Sequence, residues 1–126
     1  MLERGAGETL LVVEDEMATR QALKDGLTLI NYHVIAAIDG AQALSYLNEH
    51  PQEVKLVLSD VVMPEMGGIE LLRTIRSQGL QIPVILMTGH PLQEEISGIQ
   101  DLELTAWMQK PPRLKQLSQI IAQALK

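Results

Sequence analysis

Five side chains of this sequence could act together: the carboxylates of Glu14, Asp15 and Asp60, the hydroxyl of Thr88 and the ammonium of Lys110. Each stands at the end of a short run rich in apolar residues. That is the pattern of a buried parallel strand delivering its last residue to the carboxyl edge of a sheet, where open α/β folds place their chemistry. Asp60 closes the run 55–60, and a Pro/Gly-punctuated loop, residues 61–68, follows at once. Three acids brought within a few ångströms repel one another, so the cluster is poor for stability unless a cation neutralises it. Hard oxygen ligands with no His or Cys among them suggest Mg²⁺, which takes about six oxygens at roughly 2.1 Å. A bare cation site has no need of Thr88 and Lys110. Phosphoryl transfer does, because charge spread over the equatorial oxygens must be met by a metal, a cation and oriented donors. Asp60 is then the nucleophile, forming an acyl phosphate. Taken singly, the acidic pair reads as a solvated helix start, Asp60 as a turn cap, Thr88 as a turn hydroxyl and Lys110 as a surface lysine. Their joint occurrence at four strand ends is what points to chemistry.

The elements that must position these residues follow from apolar periodicity. Residues 9–13 read as a first strand, and Met17, Leu23, Leu27 and Ile30 recur at helical spacing over 17–30, with acids in the first turn. Asn31-Tyr32 breaks that helix. Residues 33–37 form a second strand, and Asp39-Gly40 caps a helix to about Asn48 that carries Ala43, Leu44 and Leu47 and closes before Pro51. The strand ending at Asp60 comes third, followed by a helix over 68–77 with Ile69, Leu72 and Ile75 inward, ended by Gly79. Residues 82–87 give a fourth strand, with Pro83 near its start where a missing donor is tolerated. A helix is expected between Leu92 and Gln100, interrupted by Gly98, then a fifth strand over 104–108. Pro111-Pro112 opens the last helix, which carries Leu114, Leu117, Ile120, Ile121 and Leu125. Strands alternating with helices give an α/β doubly wound, five-stranded parallel sheet with five helices, in the flavodoxin-like order 2-1-3-4-5. Residues 1–8 read as a flexible lead-in or linker, and 9–126 as the domain.

Composition narrows the function classes. With 126 residues the chain fits one domain with a real core, and it has no Cys for a disulfide framework or thiolate chemistry. A net charge of −6 and a lack of clustered Lys and Arg argue against a nucleic-acid surface. Trp107, Tyr32 and Tyr46 are the only aromatics, too few for a stacking platform. No apolar run reaches the roughly 20 residues that span a bilayer, and no signal-peptide pattern opens the chain, so a cytoplasmic setting is expected. Gly67-Gly68 is not a nucleotide loop, since no Gly-rich run ends in Lys-Ser/Thr.

At Val13-Glu14-Asp15-Glu16, Ser59-Asp60-Val61-Val62-Met63-Pro64-Glu65-Met66-Gly67-Gly68, Met87-Thr88-Gly89 and Gln109-Lys110-Pro111 the sequence resembles the response-regulator receiver domain of two-component signalling. The likeness covers about 9–126, and the acceptor-loop and Thr-Gly-His-Pro segments look most like receivers attached to hybrid histidine kinases. The resemblance implies that Asp60 accepts a phosphoryl group from the phosphohistidine of a histidine kinase or histidine phosphotransfer domain. It implies that Asp15, Asp60 and the Val62 backbone carbonyl bind Mg²⁺, with Glu14 acting through a water. Thr88 and Lys110 would grip the phosphoryl oxygens, and the Lys110-Pro111 bond would be cis. Thr88 and Trp107 would form the switch that remodels a partner-binding face. Such a domain is no enzyme in the turnover sense; it catalyses its own phosphorylation and a slow dephosphorylation.

Several positions depart from the family pattern. Glu103-Leu104 stands where a Gly-Ala pair is usual. Apolar Val62 offers no water-orienting group, which implies slow self-hydrolysis, and His90 lies in the loop after Thr88. Met17, Arg20 and Gln21 are the candidate docking surface for the phosphodonor. Two other readings remain: a haloacid-dehalogenase-type Mg-dependent phosphatase, which would want a second acid where Val62 stands, and a pseudo-receiver that only binds proteins. With its last helix ending at Lys126, the sequence is expected to be either a stand-alone regulator or an excised receiver.

Overall fold

The long apolar runs become strands because both faces of each central strand are covered. In the computed structural model, which describes residues 2–89 and 102–126, β1 (Thr9–Val13) alternates its side chains between two cores. Leu10 and Val12 join Leu56, Leu58, Ile85 and Met87 on one face; Leu11 and Val13 join Val57, Val84 and Leu86 on the other. A strand buried on both faces carries no polar alternation, so a continuous hydrophobic run is its signature.

The described elements run β1, α1 (Met17–Leu29), β2 (His33–Ala37), α2 (Gly40–Glu49), β3 (Val54–Asp60), α3 (Gly68–Ser77), β4 (Val84–Thr88), β5 (Ala106–Gln109) and α4 (Leu114–Ala124). All strands are parallel and lie in the order β2-β1-β3-β4-β5, as expected. Helices α1 and α4 cover the first face through Leu23, Leu27, Leu117 and Ile121. Helices α2 and α3 cover the second through Ala43, Leu47, Leu71, Leu72 and Ile75. The helix expected between Leu92 and Gln100 lies outside the described residues, as do Gly98 and His90.

Several boundaries and inward faces differ from expectation, among them the start of β4, at Val84 rather than residue 82. Asp39 caps α2 by accepting from the Gln42 amide at 2.8 Å. The expected acids are not in the first turn of α1: Glu14, Asp15 and Glu16 all precede it, and Met17 is exposed rather than inward. In α3 the buried residue is Leu71 as well as Leu72 and Ile75, while Ile69 is only partly covered. Strand β5 begins at Ala106, two residues later than expected, and α4 begins after Arg113 rather than at Pro111-Pro112. The Lys110-Pro111 peptide is cis. The segment before β1 lies against the α1–β2 turn, where the Gly5 and Gly7 amides donate to the carbonyls of Ile30 and Asn31 at 2.7 and 2.9 Å. No helix among the described residues is long and apolar enough to cross a membrane.

Candidate phosphoryl-acceptor site

Strand register brings the five residues together. Val13 is level with Ser59, Asp60 with Met87, and Thr88 with Gln109. Glu14 therefore falls beside Asp60, and Lys110 emerges one residue past the partner of Thr88. The Lys110 amide donates to the Thr88 carbonyl at 2.7 Å, which extends the ladder to the site itself.

The three carboxylates converge: one ligand oxygen from each of Glu14, Asp15 and Asp60 lies within 4.8 Å of the others. Lys110 Nζ donates to Glu14 Oε1 at 2.5 Å and to Asp60 Oδ2 at 3.1 Å. Asp60 Oδ1 accepts from the Val62 amide at 3.4 Å, and the Val62 side chain points out, 69% exposed. Glu14 is fully buried, yet its Oε2 has no hydrogen-bond partner among the described residues. Leaving a buried carboxylate oxygen unpaired is costly. Burial pushes the Glu14 carboxyl up to about 7; the bond from Lys110 opposes this shift and neighbouring Asp60 reinforces it. Burial alone would lower the Lys110 ammonium, but its bonds to Glu14 and Asp60 hold it above the ordinary lysine value.

This donor set fits a hard divalent cation. Three carboxylates face one ammonium, all the ligand atoms are oxygens, and the unpartnered Glu14 Oε2 is an acceptor that a cation would satisfy. Among the described residues, no other group of three such ligands converges.

The loop after Asp60 is held by close backbone approach. A Cβ on Gly68 would lie 2.3 Å from the Asp60 carbonyl oxygen, so only glycine lets α3 start so near the end of β3. The Gly68 amide donates to the Val61 carbonyl at 3.0 Å, and Gly40 at the head of α2 donates to Met66 at 3.0 Å. Glu65 adopts φ 65°, a left-handed conformation that costs energy in a non-glycine residue and is held here inside a braced loop. The Gly67-Gly68 pair is thus a packing device beside Asp60.

Thr88 is buried at the end of β4. Trp107 sits apart from the acids on β5, paired with Leu86 and 43% exposed, while Met108 next to it faces the core. Of the docking candidates, Met17 is largely exposed. Arg20 donates to the Glu14 and Asp15 carbonyls, and Gln21 donates to Asp25. Sequence reasoning missed this inward use of Arg20; the signal was a cation in the opening turns of a helix, where the dipole opposes it.

Comparison with known proteins agrees with this geometry. Residues 10–122 match the model of the response regulator receiver domain. The chain is 36% identical over 112 residues to the sensor histidine kinase RcsC of Escherichia coli (strain K12), covering 89% of this chain and 12% of that protein. It is 34% identical over 110 residues to the response regulator MprA of Mycobacterium sp. (strain KMS), covering 86% of this chain and 46% of the relative. The chain thus spans less than half the length of these curated relatives. Among solved structures, Vibrio cholerae CheY4 superposes with a TM-score of 0.87 at 27% identity, over 95% of this chain and all of that one.

Proposed function

This chain belongs to the response regulator receiver domain family of two-component signalling, and on that premise we propose that Asp60 is its phosphoryl acceptor. The observation that carries the reading is the convergence of Glu14, Asp15 and Asp60 with Lys110 Nζ bonded to two of them. An Asp60 carboxylate oxygen attacks the phosphorus of a phosphohistidine, the P–N bond breaks, and the imidazole departs with a proton, leaving an acyl phosphate. Lys110, 3.1 Å from Asp60 Oδ2, meets the charge of the arriving phosphoryl oxygens, and the buried Thr88 hydroxyl joins it. Asp15, Asp60 and the Val62 carbonyl would hold Mg²⁺, with Glu14 reaching it through a water, and the ion would supply charge neutralisation on the transferring group. Water attack on phosphorus later returns the carboxylate and inorganic phosphate. The Val62 side chain points outward and offers that water no polar guide, so this loss is slow.

The donor is a histidine kinase or histidine phosphotransfer domain on the cytoplasmic side of the membrane. Phosphorylation draws in Thr88 and re-sets Trp107, whose exposed ring on β5 alters the face offered to a partner. Residues 9–126 are the receiver unit, and 1–8 lead into it.

Intact-mass measurement after incubation with acetyl phosphate and Mg²⁺ tests the acceptor. Wild type gains one phosphoryl group; Asp60→Asn gains none, nor does wild type with the ion chelated. Equal labelling of Asp60→Asn would contradict the assignment, and steady turnover of a phosphomonoester would point to a phosphatase instead.

A further inference from the structure

Glu14, Asp15 and Glu16 are consecutive, yet only the first two join Asp60. Three neighbouring like charges on a strand-to-helix loop have no intrinsic reason to divide in this way. Contacts from α1 divide them. Thr19 Oγ1 donates to Glu16 Oε1, so the third acid is held on the helix side. Arg20 Nη1 donates to the carbonyl oxygens of Glu14 at 2.9 Å and Asp15 at 3.2 Å, and the Arg20 amide donates to the Glu16 carbonyl at 2.9 Å. One residue therefore receives the carbonyls of all three acids.

The placement is against helix electrostatics, which makes it informative. A cation near a helix N-terminus is opposed by the dipole, and α1 has no basic residue in its last turn where one would be favoured. Helical side chains lean toward the N-terminus, so an arginine one turn in can reach back over the loop. The two hydrogens of its Nη1 serve the two adjacent carbonyls.

We infer that Arg20 is a positioning residue for the divalent-ion site: it fixes the backbone of the acid triplet so that Glu14 and Asp15 face Asp60, while Thr19 holds Glu16 aside. This rests on the Mg²⁺ reading given above. Arg20 touches neither acceptor nor phosphoryl group; it acts through the loop, as partners behind metal ligands commonly do.

Calorimetric titration with Mg²⁺ alone, on proteins shown by circular dichroism to be folded, tests this. Arg20→Met binds Mg²⁺ about tenfold more weakly, Arg20→Lys recovers part of the loss, and Glu16→Gln stays within about threefold of wild type. With acetyl phosphate as donor, Arg20→Met needs more Mg²⁺ for half-maximal labelling but reaches nearly the wild-type rate at saturation. Should Arg20→Met fail to fold, Arg20→Gln takes its place under the same criteria. Equal Mg²⁺ affinity in wild type and Arg20→Met overturns the role of Arg20 and leaves the ion site standing. Absence of Mg²⁺ binding by wild type removes the site, and the inference with it. A Glu16→Gln affinity as low as that of Arg20→Met refutes the sorting of the acids.

Discussion

Lys110 and Arg76 each carry a half-buried positive charge to one end of the sheet, and their surroundings are opposite. Arg76 donates to the carbonyls of Leu80, Ile82, Leu102 and Glu103, at 2.7 to 3.0 Å. These carbonyls precede β4 and β5, so the guanidinium ties the amino ends of both strands to α3. Every partner is a neutral dipole. Lys110, at the carboxyl end, meets two carboxylates with a third close by, and one carboxylate oxygen there has no partner among the described residues. A cation whose donors are spent on carbonyls is a clamp; one outnumbered by acids marks a place that a second cation completes.

The contrast can be broken from either side. The largest effect is expected at Lys110: without Mg²⁺, Lys110→Met leaves Glu14 and Asp60 buried together uncompensated and lowers unfolding free energy by about 3 kcal/mol at pH 8. The loss shrinks near pH 5, where Glu14 takes up a proton, and on adding Mg²⁺; urea titrations at both pH values measure it. Arg76→Met strands four carbonyls and costs about 2 kcal/mol, independent of pH between 5 and 8 and with unchanged Mg²⁺ affinity. Dependence of that loss on Mg²⁺ would erase the distinction between the two ends.

A smaller effect comes from Glu14 itself. Its carboxyl moves from an ordinary value of 4.5 to about 7 on folding. Between those values the native state binds more protons than the unfolded chain, so this group's contribution to stability falls as pH rises through the window. The stability of wild type relative to Glu14→Gln should therefore drop by about 1–3 kcal/mol from pH 4.5 to 7 in chelator, and saturating Mg²⁺ should flatten the slope. The smallest expected change is kinetic: Val62→Asn puts a polar side chain at the solvent mouth of the site, two residues past Asp60, where it can guide an approaching water, and shortens the acyl-phosphate lifetime severalfold, read by decay of the labelled mass.

How much was legible follows from what kind of signal each feature leaves. Strand order and the meeting of Glu14, Asp15, Asp60 and Lys110 were readable because buried parallel strands write unbroken apolar runs, and these residues stand at or just past the carboxyl ends of those runs. Helix phase was less exact: Leu71 and Leu72 are adjacent and both apolar, so the sequence alone did not show that Leu71 is buried where Ile69 was expected. The shifted start of β5 has a similar cause, since Leu104 packs on the core from outside the strand. Arg76 was invisible in its role, because a side chain bonding to main-chain carbonyls leaves no periodicity and no partner residue to look for, whereas Arg20 left only its odd placement near a helix N-terminus. Gly68 is a related case, for its need is set by a carbonyl eight residues back that only the folded chain brings near.

Beryllofluoride, a mimic of the phosphoryl group, gives the most direct test of the central claim that the acid cluster, a divalent ion and Lys110 make Asp60 an acceptor. Fluorine NMR of the wild-type protein should show bound beryllofluoride only when Mg²⁺ is present, and none on Asp60→Asn. Wild type without a bound signal in Mg²⁺, or an identical signal from Asp60→Asn, would contradict it.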